Sequence, residues 1–339
     1  LRTTKREFNK IDKDFKISSR DMKDKILIGD CIEKLKTLED NSIDCCITSP
    51  PYWGLRDYGH EEQLGSEKHF KDFVNNLCNV FDEVKRVLKP SGTCFVNLGD
   101  TFSSDTKGTG GPSDKQLSNK GSRYEAKKFD TEIPNKCLCL VPERFAIEMI
   151  DRGWTIRNQI IWHKPNQMPS SAKDRFTVDF EKVFFFVKQP TDYYFEQQLE
   201  QALTNENRPN GVERDRIYDY NSKQKIITGR TSKNGQGNGE LANGKRFGDT
   251  GIRNVRTTWS VNTEPNSEAH FATYPQRLVE RMLKAGCPEN GIVLDPFFGS
   301  GTTGVVAKKL NRHYVGIELN PKYVSIAESR LYKELGMFL

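Results

Sequence analysis

Ile292-Val293-Leu294-Asp295-Pro296-Phe297-Phe298-Gly299-Ser300-Gly301-Thr302-Thr303 is the stretch that decides the fold. Three apolar residues ending on an acid read as a buried strand, and the Gly-Ser-Gly that follows reads as a turn into a helix. Glycines allow tight geometry there and let backbone approach a ligand closely. A further strand is expected over 313–319, ending near Glu318, which lies 17 residues beyond Gly301. An acid at that place can take two ribose hydroxyls, the logic of dinucleotide-binding folds. No Gly-Lys-Ser/Thr follows the turn, which argues against a triphosphate-hydrolysing P-loop. Taken alone, the turn leaves other nucleotide-binding classes open.

A second stretch, Thr48-Ser49-Pro50-Pro51-Tyr52-Trp53, closes an expected strand over 43–48. Its residue types suit an exocyclic amine on an aromatic base. The lone pair of such an amine is delocalised into the ring, so acceptors aimed at both N–H bonds are needed to draw the nitrogen toward tetrahedral geometry. The same acceptors stabilise the positive charge that develops on it. The Ser49 hydroxyl and the Pro50 carbonyl can be those acceptors, because two successive prolines carry no competing N–H and fix the local backbone. Tyr52 and Trp53 offer faces for stacking. The plainer alternative is an ordinary turn at a strand end.

Working outward, Lys25–Asp30 reads as a strand, followed by a short helix ending near Leu38. Phe70, Phe73, Val74, Leu77, Phe81, Val84, Val87 and Leu88 recur at helical spacing and predict a helix over 69–89, stopped by Pro90-Ser91-Gly92. A strand over 93–98, a helix over 142–152 and strands over 155–163 and 182–188 follow. After 260, helices over 275–285, 302–310 and 321–336 alternate with strands over 291–295 and 313–319. The expected fold is α/β, a parallel sheet covered by helices. Residues 1–24 are charged and aperiodic and are expected to form a mobile or loosely docked arm, and 101–136 a long mobile loop. Apolar density falls across 197–260. Within 223–256 there are eight basic residues against two acidic, among them Arg230, Lys245, Arg246 and Arg253. This region is either a solvated loop or a target-recognition insert, in which Lys and Arg hold phosphates and Asn, Gln and Arg read base edges.

At 339 residues, with 52 Lys plus Arg against 46 Asp plus Glu, the chain is large enough for a full core and mildly basic. No apolar run reaches membrane-spanning length and no signal-peptide pattern precedes the first strand. The first residue, Leu1, is not Met, as in a trimmed or altered start. The eight cysteines form no Cys-x-x-Cys pair, so reduced thiols are expected rather than a zinc ribbon or a disulfide framework, and no metal is expected.

The Thr-Ser-Pro-Pro-Tyr-Trp string resembles the catalytic motif of S-adenosylmethionine-dependent amino-methyltransferases of DNA. Its Ser-Pro-Pro form resembles the branch that makes N4-methylcytosine, whereas the adenine-N6 branch more often has Asp or Asn in place of Ser49. Gly54-Leu55-Arg56-Asp57-Tyr58-Gly59 resembles a loop over the site in the same branch. Asp295 to Thr303 resembles the cofactor motif, and His270-Phe271-Ala272-Thr273-Tyr274-Pro275 resembles the helix entry that completes the methionine site. Catalytic motif first and cofactor motif last is similar to the beta arrangement, a circular permutation of a Rossmann-like sheet. The resemblance covers about 25–196 and 265–335 and implies a catalytic domain of 25–196 with 261–339, and a target-recognition region over 197–260.

That resemblance implies catalytic Ser49, Pro50, Pro51, Tyr52 and Trp53. It implies an S-adenosyl-L-methionine site of Asp30, Phe271, Thr273, Asp295, Pro296, Phe297, Gly299, Ser300, Gly301, Thr302, Glu318 and Asn320. Asp30 either reaches the adenine amino group or is a plain solvated strand end. Trp154 to Asn166 resembles a family strand beside the substrate. His163 there is a candidate base and Lys164 a phosphate contact, with Arg56, Arg230, Lys245, Arg246 and Arg253 further substrate contacts. Phe180 stands where many relatives have His before Glu; it either stacks on a flipped base or belongs to the core. Asp100, at another strand end, is a weaker candidate. The implied activity is methylation of cytosine N4 in double-stranded DNA, in a prokaryotic or phage-encoded cytoplasmic enzyme. A cognate restriction endonuclease and a homodimer are left open as partners. Adenine N6, an RNA substrate, and a catalytically idle DNA-binding subunit are the alternatives.

Overall fold

A computed structural model describes residues 16–54, 63–103, 132–201, 252–264 and 274–336. The chain divides into two compact units, Leu1–Glu196 with Thr257–Leu339, and Gln197–Arg256. In the larger unit, β1 (Lys25–Ile28), β2 (Ile43–Thr48), β3 (Leu88–Leu98), β4 (Thr155–His163), β5 (Phe180–Val187), β8 (Thr258–Ser260), β9 (Ile292–Asp295) and β10 (His313–Glu318) form one eight-stranded sheet in the order β1-β10-β9-β2-β3-β5-β4-β8. Helices α1 (Cys31–Lys36), α2 (Phe70–Val87) and α3 (Val141–Asp151) form one layer, and α4 (Gln276–Gly286), α5 (Thr302–Lys309) and α6 (Pro321–Leu335) the other. The smaller unit carries a two-stranded ribbon, β6 (Leu199–Gln201) against β7 (Ile252–Asn254). Among the described residues no helix is long and apolar enough to cross a membrane.

The α/β expectation holds, with four differences. The sheet is mixed: β5 runs antiparallel to both β3 and β4, because β4 returns directly through a loop whose base closes with Lys164 N–H donating to Asp179 O at 2.7 Å. Residues 164–179 carry no helix or strand to take the chain back across the sheet, so β5 sets out from the end where β4 finishes and runs antiparallel to it. Next, β3 starts at Leu88, not Thr93. Leu88 already has extended backbone (φ −65°, ψ 137°), and Lys89 precedes Pro90, which disfavours the helical region. The stop therefore becomes the beginning of the strand. Thirdly, Thr258–Ser260 is an edge strand of the main sheet beside β4, although it falls in the region of low apolar density. Fourthly, residues 16–24 are docked: Ile17 bridges to Leu38, Met22 is fully buried, and Asp24 bonds Lys308, His313 and the Tyr314 N–H. Of the 101–136 stretch only 101–103 and 132–136 are described, and of 197–260 only 197–201 and 252–260.

The core beneath α1 to α3 is aromatic. Phe81 meets Phe145 edge-on at 5.2 Å, and Phe145 meets Phe186 at 6.1 Å. Each such buried side chain contributes roughly 1.5–3 kcal/mol of transfer free energy. Across the sheet, Phe298 stacks on Tyr314 at 5.5 Å and lies against Gly316 of β10. A Cβ on Gly316 would sit 2.4 Å from Phe298 Cγ, so this strand carries glycine to seat the ring of the turn. All eight cysteines are free thiols, seven of them buried. Gly316→Ala is expected to destabilise the fold by about 1–3 kcal/mol through overpacking, read as a lower urea midpoint with an unchanged slope.

Candidate functional site

The site gathers at the carboxyl ends of the parallel strands, where ligands bind in open α/β sheets. At its centre is Asp295, the last residue of β9 and 1% exposed. Its carboxylate accepts from Thr48 Oγ1 (2.6 Å), Thr303 Oγ1 (2.6 Å), Tyr274 Oη (3.0 Å) and the Phe297 N–H (3.1 Å). Burial pushes this carboxyl above its ordinary value, and the bonds from Thr303, Thr48, Phe297 and Tyr274 pull it back in part. Asp295 is therefore a tie between loops, and its side chain has no orientation left for a ligand. Through Thr48 it joins the Ser49-Pro50-Pro51-Tyr52 segment after β2 to the glycine turn after β9, although Thr48 and Asp295 lie 247 residues apart.

The glycine turn is held from the other side by α6. Arg330 Nη1 donates to Ser300 Oγ (3.2 Å) and Thr302 Oγ1 (2.8 Å). Both side chains are buried, so both serve the turn rather than a cofactor. Glu334 in turn binds Arg330, Lys309 and Gln276. Burial raises the Glu334 carboxyl, but the hydrogen bonds from Lys309, Arg330 and Gln276 outweigh it and hold it at about 2. Gly299 and Gly301 adopt φ of +51° and +79°, a left-handed backbone that favours glycine. Pro296 is buried, while Phe297 and Gly299 are half-buried.

Glu318, at the end of β10, accepts the Gly299 N–H and the Asn320 N–H, each at 2.8 Å. Burial raises its carboxyl, offset in part by those two N–H bonds. Each oxygen keeps a lone pair for a further donor. Beside it, Gly29 N–H donates to Glu318 O at 2.9 Å and brings Asp30 to the same edge. Asp30 caps α1 by accepting from Glu33 N–H at 2.9 Å, so one of its oxygens is structural. Asn320 likewise caps α6 by accepting from Lys322 N–H at 3.0 Å. A half-buried carboxylate anchored by backbone, a second acid at its side, the open flank of Gly299 and the exposed part of Phe297 are the acceptors and apolar surface that a nucleoside needs. These residues fit S-adenosyl-L-methionine.

Where β2 and β3 end and β5 begins, a second cluster forms. Tyr52 Oη donates to Glu181 Oε2 at 2.7 Å, and Asn97 Nδ2 lies 2.8 Å from Tyr52 Oη, 2.7 Å from Glu181 Oε2 and 3.3 Å from Ser49 Oγ. Ser49 Oγ is 3.4 Å from Tyr52 Oη. The Tyr52 ring lies over Gly99, where a Cβ would come within 2.6 Å of it. Pro50 is buried and Pro51 half-buried at the same strand end.

Several expectations change. Trp53 is 4% exposed, donates to Glu67 O at 2.9 Å and meets Phe70 edge-on, so it is core and offers no stacking face. Lys164 is paired with Glu181 and lies 4.4 Å over the Trp162 ring, so its ammonium is engaged within the cluster. His163 is held by Ser260 Oγ at 3.1 Å and lies 3.6 Å from Asp179. It pairs with Phe180 across the strands, and Phe180 alternates with Glu181, so both face away from Ser49. Phe180 is 37% exposed, which removes the core alternative for it. Asp100 accepts from the N–H groups of Thr101, Leu140 and Val141 and so anchors the start of α3. Arg253 binds Glu200 in the smaller unit. Arg56, Phe271, Thr273, Arg230, Lys245 and Arg246 lie outside the described residues. Sequence reasoning assigned no role to Asn97, Glu181 or Arg330, and quoted Tyr274 and Thr303 only as members of motif strings. A polar Asn inside the apolar run 93–98 is the one signal that could have pointed to the first.

Residues 43–329 match the family model of the N6/N4 DNA methylases. The type II methyltransferase M.Cfr9I of Citrobacter freundii is 39% identical over 308 residues, covering 90% of this chain and 87% of its own. M.SmaI of Serratia marcescens is 35% identical over 312 residues, 91% of each chain. Among solved structures, PvuII DNA methyltransferase (cytosine-N4-specific) aligns with a TM-score of 0.56 at 20% identity, covering 92% of this chain and 89% of that one. TTHA0409, a putative DNA modification methylase of Thermus thermophilus complexed with S-adenosyl-L-methionine, aligns at 0.54 and 21%, covering 92% and 96%. These two support the fold.

Asp295→Asn turns an amide N–H toward hydroxyl and N–H donors. It is expected to cost about 1–3 kcal/mol and to weaken S-adenosylmethionine binding at least ten-fold by calorimetry. The depressed Glu334 carboxyl gives stability that is complete above pH about 4.5 and is lost as pH falls toward about 2. Glu334→Gln should therefore flatten this acid limb in urea unfolding measured between pH 5 and pH 3.

Proposed function

Because this chain belongs to the N6/N4 DNA methylase family, we propose that it methylates the N4 amine of a cytosine flipped out of duplex DNA. The observation that carries this reading is the Thr48–Asp295 bond at 2.6 Å. It sets the Ser-Pro-Pro-Tyr segment next to the glycine turn, so an amine held at Ser49 adjoins a cofactor lying along Gly299 and Glu318. Serine at 49, in place of the Asp or Asn more frequent in adenine enzymes, favours cytosine.

S-adenosyl-L-methionine, when bound, supplies an electrophilic methyl group. Glu318 takes the ribose hydroxyls on its remaining lone pairs, Asp30 stands at the adenine end, and Phe297 offers its exposed edge. Gly299 and Gly301 let the turn's backbone approach the methionine part. Ser49 Oγ accepts one N–H of the target amine and the Pro50 carbonyl the other. Both draw the nitrogen toward tetrahedral geometry and its lone pair out of conjugation with the ring, and both gain strength as positive charge develops. Tyr52, half-buried over Gly99, is the aromatic face for the base, with Trp53 behind it as support. Flipping costs a few kcal/mol, offset by that stacking and by phosphate contacts from the basic residues of 197–260, which we assign to target recognition. In a bacterial cytoplasm beside a cognate restriction endonuclease, the product would protect the host sequence.

The test is incubation with tritiated S-adenosylmethionine and mixed-sequence duplex DNA, then digestion to nucleosides and mass identification of the labelled base. Labelled N4-methylcytosine is expected, with Ser49→Ala lowering kcat about a hundred-fold and leaving cofactor affinity intact. Labelled N6-methyladenine would overturn the base assignment.

A further inference from the structure

We propose that Glu181 is a positioning residue that sets the direction of the hydrogen bonds around Ser49, so that the serine hydroxyl meets the target amine as an acceptor. The inference rests on the functional reading above. A serine hydroxyl can donate or accept. One that donates to the amine nitrogen would occupy the lone pair that must attack. Something must therefore hold the Ser49 proton elsewhere.

The cluster provides this through its carboxylate. An ionised carboxylate only accepts, and Glu181 is kept at the cluster by Lys164 on Oε1, with the two side chains 17% and 13% exposed. Its Oε2 takes the Tyr52 proton at 2.7 Å. With that proton committed, Tyr52 Oη presents lone pairs inward and accepts from Asn97 Nδ2 at 2.8 Å and from the Ser49 hydroxyl at 3.4 Å. Asn97 obeys the same rule. Its Nδ2 faces Glu181 Oε2, Tyr52 Oη and Ser49 Oγ, while its Oδ1 is buried with no hydrogen-bond partner. Turning the amide over would set that oxygen against the Glu181 carboxylate. The orphaned oxygen is the mark of an amide whose orientation the carboxylate imposes, since a buried acceptor left without a donor is otherwise costly. The chain of donors thus runs Ser49 to Tyr52 to Glu181, with Asn97 donating inward. Ser49 Oγ then receives at most one N–H from Asn97 and has a lone pair left for the amine.

The test is a mutant cycle on the full chain, with tritiated S-adenosylmethionine and mixed-sequence duplex DNA. Lys164→Met with Glu181→Leu removes the pair without leaving a buried charge. Tyr52 can then turn its proton to Ser49 Oγ. The paired variant should lose about thirty-fold in kcat, while KM for S-adenosylmethionine stays within about two-fold. In a Ser49→Ala background the same pair of changes should cost nothing further, because the residues act through Ser49. Tyr52→Phe, which keeps the ring over Gly99, should show the same lack of additivity and serves if the paired variant does not bind cofactor. Losses that multiply in the Ser49→Ala background would overturn the inference and leave the functional reading standing. A Ser49→Ala enzyme as fast as the parent would overturn that reading itself.

Discussion

One buried carboxylate, Asp295, carries the geometry of this molecule. It receives four donors from three separate segments: Thr48 before the Ser-Pro-Pro turn, Tyr274 at the entry to α4, and Phe297 and Thr303 around the glycine turn. An isolated ionised carboxylate in such a place would be driven to neutralise. Here every donor that relieves the burial also fixes the position of a loop. The two halves of the site are set against each other by the same bonds that make the charge tolerable, so stability and site geometry are not independent properties of this chain.

The same economy appears around the turn. Of the polar side chains expected to touch a cofactor, Asp295, Ser300 and Thr302 are engaged by other protein groups, and Asp30 and Asn320 each cap a helix. These motif residues shape a backbone surface, and in the proposed reading contact with the ligand falls mainly to Glu318, Phe297 and the glycines. A motif string can identify such a site without saying which of its atoms face the ligand, because holding a turn and touching a molecule call for the same small polar residues.

Much of the fold was legible. The helical spacing over 70–87, the strand at 43–48 and the strand–turn–helix at 292–309 match closely, since each is a strong local pattern. The reversal of β5 was not legible: a continuous apolar run such as Val183 to Val187 reads alike in either direction. The edge strand at 258–260 is three residues long, with only Trp259 buried, and gives no periodic signal. In the site, Ser49 and Glu318 could be placed from their strand ends. Glu181 could not, because its importance depends on β5 running backward, which brings the beginning of that strand to the edge where its neighbours finish. Trp53 was misread because an aromatic beside a catalytic turn looks the same whether it faces a ligand or the core.

The order β10-β9-β2-β3 also has a consequence for synthesis. Strand β2 pairs with β9 through Cys45 with Val293 and Cys46 with Leu294, residues separated by most of the chain. At 5–20 residues per second, roughly 10–50 s pass on the ribosome between the two. Throughout that interval β2 has a bare, apolar edge on one side, the kind of template that recruits foreign strands. The nascent chain must also wait for β9 before the Ser49 turn acquires its tether. The site that joins the Ser49 turn to the glycine turn therefore cannot be assembled until β9 has been made.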